Sequence, residues 1–260
     1  MNDIIKIATY NVNGIRASLN KGLMDWVVEN DIDILCIQEI KANIDQIPLF
    51  YFEEAGYHTY WYSAQRKGYS GVAIISKIEP KHVEYGMGIE DYDNEGRFIR
   101  ADFEGFSVVS AYHPSGSSGD LRQEFKMRWL DDFYDYVNEL KKDYPNLILC
   151  GDYNICHKEI DIHDPVRNAT VSGFLPEERE WMTKFFESGF IDTFRHINPE
   201  PDNYTWWSYR ARARSRNLGW RIDYIAIAEK LIDNISNAEI RADAVHSDHC
   251  PVVLDLKTKF

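Results

Sequence analysis

The apolar positions of the chain fall into short runs broken by polar clusters. Residues 4–10, 34–37, 57–62, 72–75, 98–103, 106–112, 147–150, 222–227 and 252–256 are rich in Ile, Val and Tyr, and each run has the length of a strand. Other segments repeat their apolar residues at three- and four-residue steps. Phe125, Trp129, Phe133, Tyr136, Val137 and Leu140 mark a helix over 120–142, which Pro145 closes before "NLILC" opens the next strand. Further helices are expected over 22–29 and over 176–187, where Pro176 takes the first helical position ahead of an acidic first turn. The alternation is too irregular for an eight-fold barrel, and only a tight turn separates the runs 98–103 and 106–112. A mixed α/β fold with two sheets containing antiparallel pairs follows. No linker, charge block or fixed-period repeat divides the chain, so 1–260 reads as a single domain.

Composition changes this picture mainly by exclusion. With 44 % hydrophobic and 14 % aromatic residues, disorder is excluded. The N-terminal "MNDIIKIATY" has no signal-peptide pattern, and no apolar run approaches the ~20 residues that span a bilayer. A soluble, cytoplasmic protein without a membrane partner is expected. Cys36, Cys150, Cys156 and Cys250 lie in or beside apolar runs and form no C-x-x-C pair, which reads as free, mostly buried thiols. The net charge of −13 runs against a nucleic-acid partner, because phosphates are bound by Lys and Arg. Its distribution runs the other way: "WWSYRARARSRNLGWR" over 206–221 carries Arg210, Arg212, Arg214, Arg216 and Arg221 and no acid.

The candidate chemistry sits at the ends of the apolar runs. "IATYN" ends at Asn11, "ILCIQE" at Glu39, and "LILCGDYN" at Asp152 and Asn154, while Asp223 opens "DYI" and Asp248 and His249 precede "CPVV". Strand ends are where loops gather and ligands bind. Oxygen donors with no Cys and few His describe a site for a hard divalent cation, Mg²⁺ or Mn²⁺. A His that follows one Asp, with another acid to fix its tautomer, adds a group that titrates near neutrality. Together these suit phosphoester hydrolysis. Singly, each has a plain structural reading: a turn for Asp152, a surface acid for Glu39, an Asx-turn for Asn11, a satisfied core histidine for His249. The chain contains no G-x-S-x-G, H-E-x-x-H, G-x-x-x-x-G-K-[ST] or strand-borne G-x-G-x-x-G pattern.

"NVNGIR" (11–16), "QEIK" (38–41), "EGRFIR" (95–100), "GDYNICHKEIDI" (151–162), "SGFLPEER" (172–179), "NLGWRIDYI" (217–225) and "SDHCPV" (247–252) appear in that order. In these the whole chain resembles the exonuclease III-type apurinic/apyrimidinic endonucleases of the endonuclease/exonuclease/phosphatase superfamily. The resemblance implies a four-layer sandwich, two mixed sheets face to face with helices outside, of the DNase I-like kind. It implies a DNA-repair phosphodiesterase that cleaves duplex DNA 5′ to an abasic site, leaves a 3′-hydroxyl, and also acts as a 3′→5′ exonuclease and 3′-phosphatase. Its partner would be double-stranded DNA with abasic sites or blocked 3′ ends, bound by a monomer. By the same resemblance Glu39 is the principal metal ligand with Asn11 beside it, Asp248 contributes directly or through water, and Asp152, Asn154 and His249 lie around the metal. Asp152 would activate the attacking water and Asn154 orient it. His249, paired with Asp223, would contact the scissile phosphate near Tyr112. Trp206, Trp220 and Ile222 would wall a pocket for a flipped-out abasic sugar, with Arg210 near the DNA. Asn13 stands where some members carry Asp, so no anionic ligand is expected there. The Glu, "GDxN" and "SDH" elements are shared with phosphoinositide phosphatases and sphingomyelinase-like enzymes; "YTWW" and "GWRID" favour DNA. A catalytically silent DNA-binding module is the remaining alternative, and it would have no need of the full acidic set.

Overall fold

The structure is a computed structural model that describes residues 4–258. The nine apolar runs become strands, and three more join them: β1 (Ile4–Asn11), β2 (Ile34–Gln38), β3 (His58–Tyr62), β4 (Val72–Ser76), β5 (His82–Tyr85), β6 (Phe98–Asp102), β7 (Ser107–Tyr112), β8 (Leu147–Asp152), β9 (Phe190–Asp192), β10 (Asp223–Ala228), β11 (Ile235–Ile240) and β12 (Val252–Lys257). They form two six-stranded sheets, ordered β11-β12-β1-β2-β4-β3 and β5-β6-β7-β8-β10-β9. Each sheet has one parallel pair at its centre, β1 with β2 and β7 with β8, and antiparallel neighbours outside it.

The sequence explains the layering. β2, β4, β7, β8 and β10 are buried at every residue, so they read as continuous apolar runs covered on both faces. Ile7, Cys36, Ile74, Val108, Ile148 and Ile225 belong to the cluster between the sheets. The outer face of the first sheet packs on the helices Ile15–Asn20 and Leu23–Glu29, and that of the second on Asp120–Asp143 and Pro176–Glu187. The result is the four-layer sandwich that the resemblance implied.

Three strands escaped the hydrophobic pattern. β5, β9 and β11 all lie on sheet edges, where one side of the strand meets solvent and residues such as Glu84, Asn237 and Glu239 are tolerated. All four cysteines are free and buried. Among the described residues, no helix is long and apolar enough to cross a membrane.

Register then gathers the chemistry. Asn11 pairs with Gln38, so Asn11 and Glu39 leave the first sheet together. Asp152 lies between Tyr112 on one side and Asp223 on the other, at the same end of the second sheet. The segment before β12 returns to this edge and carries Asp248 and His249.

Candidate active site

The floor of the site is a chain of carboxylates and amides. Asp152 Oδ2 accepts from Asn11 Nδ2 at 2.8 Å and lies 3.9 Å from His249 Nε2, while its Oδ1 accepts from the Asn154 amide N–H at 2.8 Å. Asp223 Oδ2 stands 2.9 Å from His249 Nδ1, which fixes the ring with Nε2 turned towards Asp152. Asn154 Nδ2 donates to the His113 carbonyl at 2.9 Å. Across the floor, the Tyr112 hydroxyl donates to Glu39 Oε1, and Lys41 Nζ is 2.6 Å from Glu39 Oε2 and 2.5 Å from Asn13 Oδ1. Asn13 Nδ2 in turn donates to Asp248 Oδ1 at 2.9 Å, and Trp206 Nε1 to Asp248 Oδ2 at 3.0 Å.

The backbone around this floor is strained. Asn13, Glu39, Lys41 and Asn154 all have positive φ, between 46° and 53°, a region that side-chain-bearing residues enter rarely and that costs of order 1–3 kcal/mol each. Such angles persist only where the surroundings hold them, and here they re-aim the residues that follow the strand ends.

An aromatic wall closes one side. Trp206 and Trp220 pair through both backbone N–H groups at 2.9 Å, and their rings meet edge to face with centroids 6.0 Å apart. Trp206 also bridges to His249, which fuses the wall to the floor. The alternation of an extended segment sends Trp220 and Ile222 into the cavity and Arg221 out behind it. There Arg221 is fully buried, with Nε 2.8 Å from Asp161 Oδ1 and Nη2 2.7 Å from Asp192 Oδ2. The cavity encloses about 300 Å³ and is lined by Asn13, Glu39, Tyr112, Asp152, Asn154, Asp248 and His249 facing Trp206, Trp220 and Ile222, with Ser115, Ser117 and the 171–173 segment at its rim.

Electrostatics set the protonation states. Burial, reinforced by the facing Asp223, pushes the Asp152 carboxyl up to about 7. His249 is raised to about 10: burial acts against the charged ring, but Asp223, Asp152 and Asp248 outweigh it. Burial, with Glu39 beside it, lifts the Tyr112 phenol well above its ordinary value, so it stays a neutral donor. Asp248 is held below the usual carboxylate range, because His249, Asn13 and Trp206 outweigh its burial. Near neutral pH the site therefore carries an imidazolium beside a carboxyl poised to gain or lose its proton.

Not every expected residue reaches the cavity. Asn11 lies fully buried beneath it, with its amide committed to Asp152 and its oxygen to the Asn13 N–H. Asp223 is likewise behind His249, and its second oxygen is buried without a partner. Asp152, Asp223 and His249 place ligand atoms within 4.8 Å of one another, a grouping that can hold a metal ion. Glu39, expected as the principal ligand, is outside that trio. The arginine strip also divides: Arg214 donates to the Ala242, Ala244 and Ser247 carbonyls and stacks on Trp207, and Arg221 is interior, so both build the site's frame. Arg210, Arg212 and Arg216 are exposed. Sequence reasoning passed over Lys41, Ser115 and Ser117; their one signal was position, directly after Glu39 and in the "HPSGSSG" turn after Tyr112. His246 and Ser247 have structural partners, His246 Nδ1 lying 3.4 Å from the Tyr10 hydroxyl and Ser247 Oγ accepting from the His249 N–H.

Residues 8–251 match the Endonuclease/Exonuclease/phosphatase family. The chain is 45 % identical over 252 residues to an exodeoxyribonuclease of Bacillus subtilis, covering 96 % of this chain and 98 % of that protein. It is 44 % identical over 255 residues to the DNA repair nuclease APEX1 of Danio rerio, covering 97 % and 82 % respectively. The solved structure of an AP endonuclease from Archaeoglobus fulgidus superposes with a TM-score of 0.90 at 34 % identity, over 98 % of this chain and 100 % of that one.

Proposed function

We propose, for a chain that belongs to the endonuclease/exonuclease/phosphatase family, hydrolysis of the phosphodiester 5′ to an abasic site in duplex DNA. It is a hydrolytic nuclease of DNA repair. The finer reading leaves a 3′-hydroxyl and adds 3′→5′ exonuclease and 3′-phosphatase action at blocked ends, by a single-domain monomer of the cytoplasm. One observation carries it: the Asp152, Asn154 and His249 side chains share a cavity of about 300 Å³ with Trp206, Trp220 and Ile222. A phosphate-hydrolysing floor beside an apolar slot for the sugar is what this reading requires, and the shared cavity supports it. A sugar without its base has lost stacking and pairing, so turning it out of the helix costs less than extruding an intact nucleotide.

In this reading Asp152 takes a proton from water, and the resulting hydroxide attacks phosphorus. The bond to the upstream O3′ breaks, O3′ takes the proton that Asp152 removed from water, and the phosphate stays on the 5′ side of the abasic sugar. His249, held as imidazolium by Asp223, and the neutral Tyr112 hydroxyl steady the non-bridging oxygens; Asn154 orients the water. Preorganised donors of this kind supply most of the rate enhancement. The donor set fits a hard divalent cation, since oxygens dominate and no thiol is present. Glu39 and Asp248 at the cavity wall, with Asp152 and Asn154 beside them, are the residues assigned to hold Mg²⁺ or Mn²⁺; Asn11 is spent beneath them on Asp152 and Asn13, and His249 as imidazolium has no lone pair to offer. When bound, that ion would neutralise charge on the phosphate.

A duplex with one abasic site and a labelled 5′ end tests the proposal. With Mg²⁺ the expected product is a single nick carrying a 3′-hydroxyl, abolished by chelator. Hydrolysis of inositol phosphates with the abasic duplex left intact would refute the substrate assignment.

A further inference from the structure

Among the charged residues outside the mechanism is a pair that no solvent reaches. Lys126 and Glu178 are both fully buried, with Nζ 2.6 Å from Oε1. Such a pair is stable only when its remaining hydrogen-bonding capacity is met. Here it is met by the backbone that carries the site. Lys126 Nζ also donates to the Asn154 carbonyl at 2.9 Å. Glu178 Oε2 accepts from the N–H groups of Gly173 and Leu175 at 2.6 and 3.0 Å, and Oε1 accepts from Gln123 Nε2 at 3.0 Å.

The two anchored segments do different things. Asn154 belongs to the turn that carries Asp152; its φ of 52° needs support, and its own N–H is aimed at Asp152 Oδ1. Gly173 underlies the aromatic wall, where an added Cβ would stand 2.8 Å from the Trp220 ring and 3.1 Å from the Asn154 carbonyl oxygen. One further bond, from the Cys156 N–H to the Gly173 carbonyl at 2.8 Å, joins the segments directly.

We propose that Lys126 and Glu178 form a positioning clamp that fixes the Asp152–Asn154 turn against the Gly173–Trp220 wall, so that the water-activating carboxylate and the sugar slot keep one spacing. Neither residue touches substrate. The inference rests on the reading of the site given above. Misplacing reacting groups by about 1 Å can cost on the order of a hundredfold in rate, so the clamp's effect belongs in kcat.

The decisive variant is Lys126→Met with Glu178→Gln. The Gln oxygen still accepts from Gly173 and Leu175, Met fills the lysine stem, and no buried charge is left unpaired; what disappears is the donor to the Asn154 carbonyl, together with the acceptor for Gln123 Nε2. On abasic duplex, kcat is expected to fall about ten- to a hundredfold, with KM and the melting temperature near wild type. Lys126→Arg, which keeps a charged donor, should retain most of the turnover. If the double variant does not accumulate as folded protein, Lys126→Met alone, which also removes the donor to the Asn154 carbonyl and leaves Glu178 its Gly173, Leu175 and Gln123 donors, is read in the same way. Unchanged kcat in the folded variant, or a parallel loss of kcat, KM and melting temperature, overturns the clamp. A wild type that leaves abasic duplex intact overturns the functional reading and the clamp with it, whereas an active wild type with an equally active variant overturns the clamp alone.

Discussion

In the proposed mechanism Asp152 concentrates the chemistry into one carboxyl group. Its burial against Asp223 raises its pKa to about 7, close to the pH at which a general base works best. A base must be deprotonated, so kcat/KM should climb with pH up to about 7 and then level; a bound cation moves that limb downwards. Asp152→Asn keeps the size of the side chain and removes the base, so turnover should drop by about 10²- to 10⁴-fold while the variant still binds abasic duplex. Near-normal turnover in a pH–rate measurement on that variant would remove Asp152 from its role. Asp161 shows the opposite sign. Its burial is outweighed by Arg221 and Arg195, and its pKa falls to about 2. A lowered carboxylate contributes stability above its unfolded value of ~3.9 and loses it as pH falls towards 2, about 2–3 kcal/mol in all. Asp161→Asn should therefore destabilise the protein at pH 7 by about 3 kcal/mol, since it also leaves Arg221 with a single buried partner. In urea titrations the gap from wild type should narrow as pH drops below 4; a constant gap would argue against the ion pair as its source.

At the scale of elements, the hydrophobic pattern located the strands that are covered on both sides and, of the four on sheet edges, only the aromatic β3. β2, β8 and β10 are unbroken apolar runs because each is buried along its length, whereas β11 reads "ISNAEI" and gives no clear alternation. Strand ends were legible for the same reason: a polar residue that ends a buried run marks the place where the chain leaves the core. That is how Glu39, Asp152 and Asn154 stood out. Asn11 was found by the same signal, yet its depth below the cavity depends on its pairing with Gln38, which no local pattern contains. Lys126 had a signal that went unused. It lies in phase with Leu130, Phe133, Val137 and Leu140 on the inner stripe of the helix Asp120–Asp143, where a lysine demands a partner. Glu178, read as a first-turn acid facing the helix dipole, is in fact fully buried on that partner. The basic strip misled in a different way. Its arginines look equivalent in sequence, but Arg214 and Arg221 are consumed by carbonyls and carboxylates inside the fold.

At the scale of the whole molecule, an acidic protein must approach a polyanion. With a net charge of −13, favourable phosphate contact has to be local, and Arg210, Arg212 and Arg216 are the exposed cations of the strip beside the aromatic wall. Arg210→Ala should weaken duplex binding for all sequences alike and reduce the slope of log K against log salt by about 1, if that side chain neutralises one phosphate. An unchanged slope in fluorescence anisotropy titrations would remove Arg210 from the interface.

The position of β12 has a consequence for assembly. This strand lies between β11 and β1, so β1 keeps an open flank until residues 252–257 dock. His249, which immediately precedes it, reaches Asp223 only when that strand has docked. Without 252–257 docked there is neither a closed first sheet nor an assembled floor, so nuclease activity depends on that strand. A version ending at residue 251 should bind little DNA and cut none, and recovery of nicking on refolding should coincide with the final fold rather than precede it.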